Sequence, residues 1–214
     1  MLRELEQRFQ SYPYRSLNTN LPQAAVLIPL VKQETGFHLI LTRRASHMNT
    51  HSGEVAFPGG KKDATDSDLL FTALRESWEE IRLEPKLVRI VGRGSSVISR
   101  YGLEVTPFVG IISQTPELSA NTDELDRIFS IPLEFLLDPD NLKTDLWQMS
   151  DHTYQMPFFL YGEYRVWGLT AVMLAECLNI GFDASIPLDV PQFNSDFGLR
   201  PRQRVRPPAS QFRS

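Results

Sequence analysis

Three glutamates, Glu76, Glu79 and Glu80, stand at i, i+3 and i+4. On a helix, at ~100° per residue, that spacing gathers their carboxylates into about a quarter of the circumference. Like charges at these spacings cost a few tenths of a kcal/mol per pair, about 0.2–0.5, and a bound divalent cation turns that repulsion into attraction. Oxygen-only ligands suit magnesium or manganese and not zinc. A plain alternative exists: glutamate is a strong helix former, such faces are commonly just solvated, and Arg75 can offset Glu79 as an ordinary i, i+4 pair. Immediately upstream runs Phe57-Pro58-Gly59-Gly60. Consecutive glycines let main-chain carbonyls and amides approach a ligand closely, so a glycine loop and an acidic helix face converge.

Those residues need a frame. Leu70, Ala73, Leu74, Ser77 and Ile81 repeat at helical spacing and predict a helix over about 67–82, with its inward face on these residues and its start capped by Asp66 or Ser67. Residues 24–31 (AAVLIPLV) and 37–42 (FHLILT) are branched apolar runs separated by Gln33, Glu34, Thr35 and Gly36, the pattern of paired strands joined by a turn. Further strands are expected at 54–57, 87–91, 103–112 and 154–161, and a second helix at 169–180. Strands in clusters with few helices between them predict an α+β fold, a mixed sheet flanked by helices, over a doubly wound parallel sheet. A Rossmann glycine fingerprint is absent, as is any internal repeat.

The chain has 214 residues and a net charge of -4, one domain with additions by length and no electrostatic sign of a nucleic-acid surface. No apolar run approaches the roughly 18 residues that span a bilayer. Residues 1–10 (MLRELEQRFQ) are amphipathic and charged, unlike a signal sequence, so the expectation is a cytoplasmic protein with no membrane partner. Three segments are expected: a helical extension over 1–21, the main domain over 22–190, and a basic tail over 191–214. From Arg200 onward that tail carries five arginines, three prolines and no acid, a composition that predicts disorder and keeps nucleic acid open as a partner. The single cysteine, Cys177, sits in an apolar stretch and is expected to be a buried, inert thiol. His38, His47, His51 and His152 make no metal-ligand spacing with it.

The acidic helix and the glycines before it resemble the box of the Nudix hydrolases, G-x5-E-x7-R-E-U-x-E-E-x-G-U, where U is aliphatic. Arg75, Glu76, Glu79, Glu80 and Leu83 coincide with it, and Gly60 does so when one extra residue is allowed before Arg75. Asp66 stands where the box has Glu, Ser77 at its first aliphatic position, and Arg82 in place of its glycine. Upstream, Leu41, Thr42, Arg44, Ala45, Gly53, Phe57, Pro58, Gly59 and Gly60 resemble the signature of the CoA pyrophosphatase branch, with Ile40 for a leucine and Asn49 where the signature is basic. The resemblance runs on through Asp123-Glu124-Leu125, Pro132-Leu133, Val166-Trp167-Gly168 and Thr170-Ala171, covering about residues 22–180.

This resemblance implies an α/β/α sandwich with a mixed sheet. It also implies a metal-dependent hydrolase of a nucleoside diphosphate linkage, with CoA or a derivative as first substrate and 3′,5′-ADP and 4′-phosphopantetheine as products. Glu76 and Glu80 would be the principal ligands of Mg2+ or Mn2+, with Glu79 in that shell or on its water and the Gly60 carbonyl adding an oxygen. Arg75 would orient the cluster, since a guanidinium does not deprotonate at working pH. Glu79 and Glu124 stand as alternative bases, and a metal-bound hydroxide would need neither. Arg44, then Arg43 and Lys61, are candidate phosphate contacts beside the Gly59–Gly60 main chain. Rival readings keep the chemistry and change the substrate to ADP-ribose, NADH or a nucleoside triphosphate, or drop catalysis for a nucleotide- or RNA-binding module. Homodimerisation is compatible with all of them.

Overall fold

In the computed structural model, residues 2–17, 19–45, 53–149 and 152–189 are described. Asn49, His47, His51 and the basic tail lie outside them. The charged opening folds as α1 (Leu2–Ser11), burying Leu5 and Phe9 one turn apart. β1 (Gln23–Gln33) and β2 (Gly36–Arg44) then form the expected hairpin, with Gln33 opposite Gly36. Gly36 has φ 119°, a backbone conformation that side chains resist, which is why glycine closes this turn. In chain order there follow β3 (Val55–Ala56), β4 (Gly59–Lys61), α2 (Leu69–Ile81), β5 (Val88–Arg93), β6 (Val97–Ile98), β7 (Glu104–Ile112), β8 (Leu125–Pro132), α3 (Leu133–Leu137), β9 (Leu142–Met149), β10 (His152–Tyr161), β11 (Tyr164–Val166) and α4 (Gly168–Phe182).

The main sheet is mixed, in the order β3-β2-β1-β7-β5, with β4 paired to β1, β6 to β7 and β8 to β2. β1 and β7 run parallel from Gln23 opposite Glu104 to Val31 opposite Ile112, and the other pairs are antiparallel. A second sheet has the order β11-β10-β9. Both faces of the main sheet are covered, so the central strands read as continuous apolar runs without alternation. On one face Ala25, Leu27, Val31, Phe108 and Ile112 pack with Ala73 and Ile81 of α2. On the other, Ile28, Leu30, Val109 and Ile111 pack with Leu5 and Phe9 of α1 and Met173 and Leu174 of α4. The expected α+β arrangement of helices on both faces of a mixed sheet is present. No described helix is long and apolar enough to cross a membrane.

The helix carrying the glutamates starts later than its sequence suggests. Asp68, and neither Asp66 nor Ser67, caps α2: its backbone is extended and its side chain accepts from Phe71 N at 2.7 Å. Asp66 is used elsewhere, as shown below. The inward face also shifts, since Ala73, Ser77 and Ile81 are buried as expected while Leu70 and Leu74 are half-buried and Thr72 and Glu80 are buried instead. At its far end Arg82 takes the left-handed conformation, φ 58°, and its N–H donates to the Trp78 carbonyl. The last carbonyls are met by a loop: Ser119 N donates to Ile81 O at 3.1 Å and Asn121 N to Glu80 O at 2.8 Å.

Behind the sheet lies another buried acid. Glu176 of α4 is 1% exposed and accepts from Tyr12 Oη at 3.0 Å and Ser95 N at 2.8 Å. Burial, then the Glu176 charge, pushes the Tyr12 phenol up to about 12. The pair fastens the segment after α1 to the sheet edge, and Cys177 next to it is buried as expected, its thiol pushed up by desolvation. Replacing Glu176 by Ala strands a buried N–H and a phenol; we expect a loss of about 2–4 kcal/mol in urea unfolding, with Glu176→Gln retaining much of it.

Candidate active site

Starting from α2, the three glutamates project to different depths. Glu80 is 4% exposed, Glu76 is partly buried, and the Glu79 side chain is 53% exposed. β4 passes beneath them. Gly59 N donates to Glu80 Oε2 at 3.0 Å. A Cβ at Gly60 would lie 2.5 and 2.7 Å from Glu76 Oε2 and Oε1, so only glycine lets the strand approach that carboxylate so closely. Burial pushes the Glu80 carboxyl up, the Gly59 N–H opposes the rise, and the charges of Glu124 and Glu76 add to it, to about 7. Burial raises Glu76 as well, against the pull of Arg75. One buried and one partly buried carboxylate, met by little more than one backbone donor and one arginine, form an environment short of positive charge.

Arg75 is the hub of what positive charge there is. Its Nε and Nη2 meet Asp66 Oδ1 and Oδ2 at 2.8 and 2.9 Å, a two-pronged pairing. Nη1 reaches Glu79 Oε2 at 3.0 Å, and Nη2 also contacts Glu76 Oε1 at 2.9 Å and the Lys61 carbonyl at 3.2 Å. Asp66 is held in turn by Thr72 Oγ1 at 2.8 Å and Asp63 N at 2.9 Å, with none of its side chain exposed. The guanidinium holds the Asp66 carboxyl well below the usual carboxylate range, and the same pairing raises Arg75.

The other sequence candidates divide. Glu124 sits where the loop before β8 meets the end of β2: Ala45 N donates to its carbonyl at 2.9 Å, and its charge is felt at both Glu76 and Glu80. Arg44 follows a register shift in the pairing of β2 with β8, opposite Leu125; its charge reaches Glu80, and its Nε is buried without an acceptor among the described residues. Arg43 is turned elsewhere, with Nη1 at 3.0 Å from Glu163, Nε at 3.9 Å from Asp126 and the guanidinium over the Tyr164 ring. Lys61 is exposed and pairs across the sheet with Ala24, whose side chain joins the core on the face away from α2. The structure therefore brings Arg75, Glu76, Glu79, Glu80, Glu124, Arg44, Gly59 and Gly60 together, and sets Arg43 and the Lys61 side chain apart. Two participants were not singled out from sequence as site residues: Asp66, visible there only as a substitution in the box, and Asn121, which acts through its main chain and leaves no residue-type signal.

The donors present fit a hard divalent cation: oxygen only, a buried carboxylate, and a glycine whose missing Cβ leaves the strand against a second one. Among the described residues no three acidic, imidazole or thiol groups are already drawn into a ligating set, and Glu79 is engaged by Arg75.

A profile of the NUDIX domain matches residues 21–152. This chain belongs to the Nudix family. A Nudix hydrolase of Enterobacter sp. (strain 638), described as uncharacterized and named NudL, is 43% identical over 163 residues, covering 76% of this chain and 84% of the relative. The NudL of Salmonella paratyphi B is 41% identical over 165 residues, with the same coverage. Among solved structures, an Ap4A hydrolase binary complex from C. elegans aligns at 17% identity and TM-score 0.46, covering 53% of this chain and 83% of that one. The NUDIX domain of Shewanella oneidensis NrtR with ADP ribose aligns at 18% and 0.45, covering 61% and 84%. As a Nudix hydrolase the chain acts on pyrophosphate substrates, and such hydrolases generally use divalent metal ions such as Mg2+ or Mn2+.

The Asp66–Arg75 pairing gives a pH signature. A carboxyl with a depressed folded value contributes stability that is complete above its unfolded value near ~4 and is lost as pH falls toward the folded value. Asp66→Asn should therefore lower the urea midpoint at neutral pH and flatten its fall below about pH 4, measured against wild type across that range.

Proposed function

We propose that this Nudix hydrolase cleaves the diphosphate linkage of CoA or an acyl-CoA, giving 3′,5′-ADP and 4′-phosphopantetheine or its acyl derivative. The observation that carries the reading is Arg44. It belongs to the run from Leu41 to Gly60 that resembles the CoA pyrophosphatase signature, and it ends in a buried guanidinium N–H with no acceptor among the described residues, close enough for its charge to act on Glu80. A buried unpaired donor costs about 1–3 kcal/mol, which an anionic phosphate oxygen would recover.

In this reading Glu76, Glu80 and the Gly60 carbonyl hold the divalent ion, with Glu79 at the edge of that shell. When bound, the ion neutralises phosphate charge and lowers the pKa of water. Arg75, pinned by Asp66, fixes the orientations of Glu76 and Glu79. Arg44 meets a phosphate oxygen. Water attacks one phosphorus and gives up one proton, the bridging P–O bond breaks, and its electron pair leaves with the other phosphate. Glu124 is the better placed base for that proton, because the Glu79 carboxylate is already engaged by Arg75 at 3.0 Å. A binder of anions would gain little from clustered carboxylates, so the noncatalytic reading is the weaker one.

One observation favours a second substrate class. Asn49 stands where the signature is basic, and Asn offers no charge-assisted contact to a phosphate, which suits ADP-ribose, NADH or a nucleoside triphosphate.

Turnover with Mg2+ over CoA, acyl-CoA, NADH, ADP-ribose and nucleoside triphosphates separates these readings. We expect kcat/KM for CoA or an acyl-CoA to exceed the rest by at least about tenfold; equal or lower values would overturn the CoA assignment and leave the diphosphatase. Glu80→Gln should lower kcat by roughly three powers of ten without unfolding the chain, and Glu124→Gln by about 10²-fold or more with a change in the pH profile.

A further inference from the structure

We propose that Tyr14 and Arg93 form the subsite for the nucleoside end of the substrate, with the base stacked on the Tyr14 ring. The proposal rests on the reading above, in which the Gly60 region holds the diphosphate.

Tyr14 lies in the segment that follows α1, ahead of residue 21, where the family match begins. This segment is fastened on both sides of Tyr14. Tyr12 is held by Glu176, Arg15 N donates to Ser95 Oγ at 3.0 Å, and Ser96 N donates to Arg15 O at 2.9 Å. The tyrosine is thereby carried to Arg93 at the end of β5, whose guanidinium stands 4.3 Å from the ring centroid. One face of the ring is thus occupied, yet the residue remains 43% exposed. An aromatic ring held in place from both sides, backed by a cation and left in water is a platform for a second planar group.

Its position matches the substrate path. Arg93 pairs with Phe108, which packs under α2, and the guanidinium is 5.9 Å from that ring, so Arg93 lies on the same face of the sheet as the glutamates. Adjacent strands connect the two places: Gly60 pairs with Ala25, Ala25 with Thr106, and Thr106 Oγ1 is 2.9 Å from Ser96 Oγ, to which Arg93 Nη2 donates at 3.3 Å. Two strand spacings, ~10 Å, separate Gly60 from Thr106. Arg93 also has a buried Nε without an acceptor, and no carboxylate pairs with it among the described residues. At the end of this edge strand, Arg93 faces an aromatic ring and keeps a donor in reserve.

The test is binding, measured apart from turnover. AMP and ribose 5-phosphate carry the same phosphate and sugar, and only AMP has a base. Calorimetry in Mg2+ on wild type, Tyr14→Phe and Tyr14→Leu should show AMP bound by wild type and Tyr14→Phe, and weakened about tenfold in Tyr14→Leu, which keeps apolar cover over Arg93 but not a planar ring. Ribose 5-phosphate should bind all three alike. Loss of both ligands together would mean that Tyr14 is a structural cover, and AMP affinity unchanged in Tyr14→Leu, or no AMP binding by wild type, would equally overturn the proposal. Failure of the chain to hydrolyse CoA, with the AMP pattern intact, would overturn the substrate assignment and leave the subsite standing.

Discussion

Four carboxylates, those of Glu76, Glu79, Glu80 and Glu124, are brought toward one end of a helix whose inner side is buried, and the fold supplies few positive groups to balance them. In water such a gathering is a matter of tenths of a kcal/mol per pair, but the effective dielectric falls as the groups are covered and each charge becomes harder to sustain. Glu80 feels this most, its carboxyl raised by burial ahead of any neighbour. The response is to fix Arg75 before it is used. Asp66 grips the guanidinium at two atoms, so that the remaining N–H groups face Glu76 and Glu79 in one geometry. The cluster remains short of cations by construction, and that shortage is the physical basis for reading it as a place for a divalent ion and a phosphate chain.

Other features of the fold follow from holding that cluster still. The last turn of α2 would leave carbonyls unmet beside Glu80; the loop after β7 meets them with Ser119 and Asn121 amides and, in doing so, delivers Glu124. The same loop bonds Ala45 at the end of β2, which sets Arg44 next to Glu80. Glycine at 60 lets β4 run under the helix at a separation that a side chain would forbid, and glycine at 59 lets the same strand lie against the β1 backbone at Ala25 and Val26. On the opposite face of the sheet α1 and α4 bury apolar side chains, and the deeply buried acid there, Glu176, is met by Tyr12 and Ser95.

How far the sequence speaks depends on how local the determining physics is. The β1–β2 hairpin, β7, α2 and α4 are legible because branched or periodic apolar runs between breakers determine them. β4 is hidden because Gly-Gly-Lys has no strand propensity and pairs only because β1 offers an open edge; β8, β9 and β11 carry too many polar residues, answering to pairing partners far along the chain. The glutamates were legible as a group from spacing alone, but their unequal burial was not, since it is set by how α2 rolls on the sheet. Asp66 illustrates the limit. By position it resembles a cap, and its real partner, nine residues away, is chosen by a loop whose path no local pattern reveals.

The departures from the Nudix box show the same economy at single positions. Asp66 is a methylene shorter than the glutamate of the box and still reaches Arg75 with both oxygens while accepting from Thr72, because the loop before α2 lies close. Ser77 places a hydroxyl where an aliphatic side chain is usual; buried completely, it donates to the Ala73 carbonyl at 2.6 Å and so brings no unmet polar group into the core. Arg82 replaces a glycine and adopts the left-handed conformation that glycine favours, at a cost of about 1–2 kcal/mol. Its guanidinium lies 5.3 Å from the Trp78 ring, an attraction of about 0.5–1 kcal/mol at an exposed site, and its N–H still closes the helix on Trp78 O. In all three cases a contact made within this chain meets what the departing residue demands, Arg75 for Asp66, the Ala73 carbonyl for Ser77 and the Trp78 ring for Arg82, so α2 reaches its end with Glu76, Glu79 and Glu80 in the positions described.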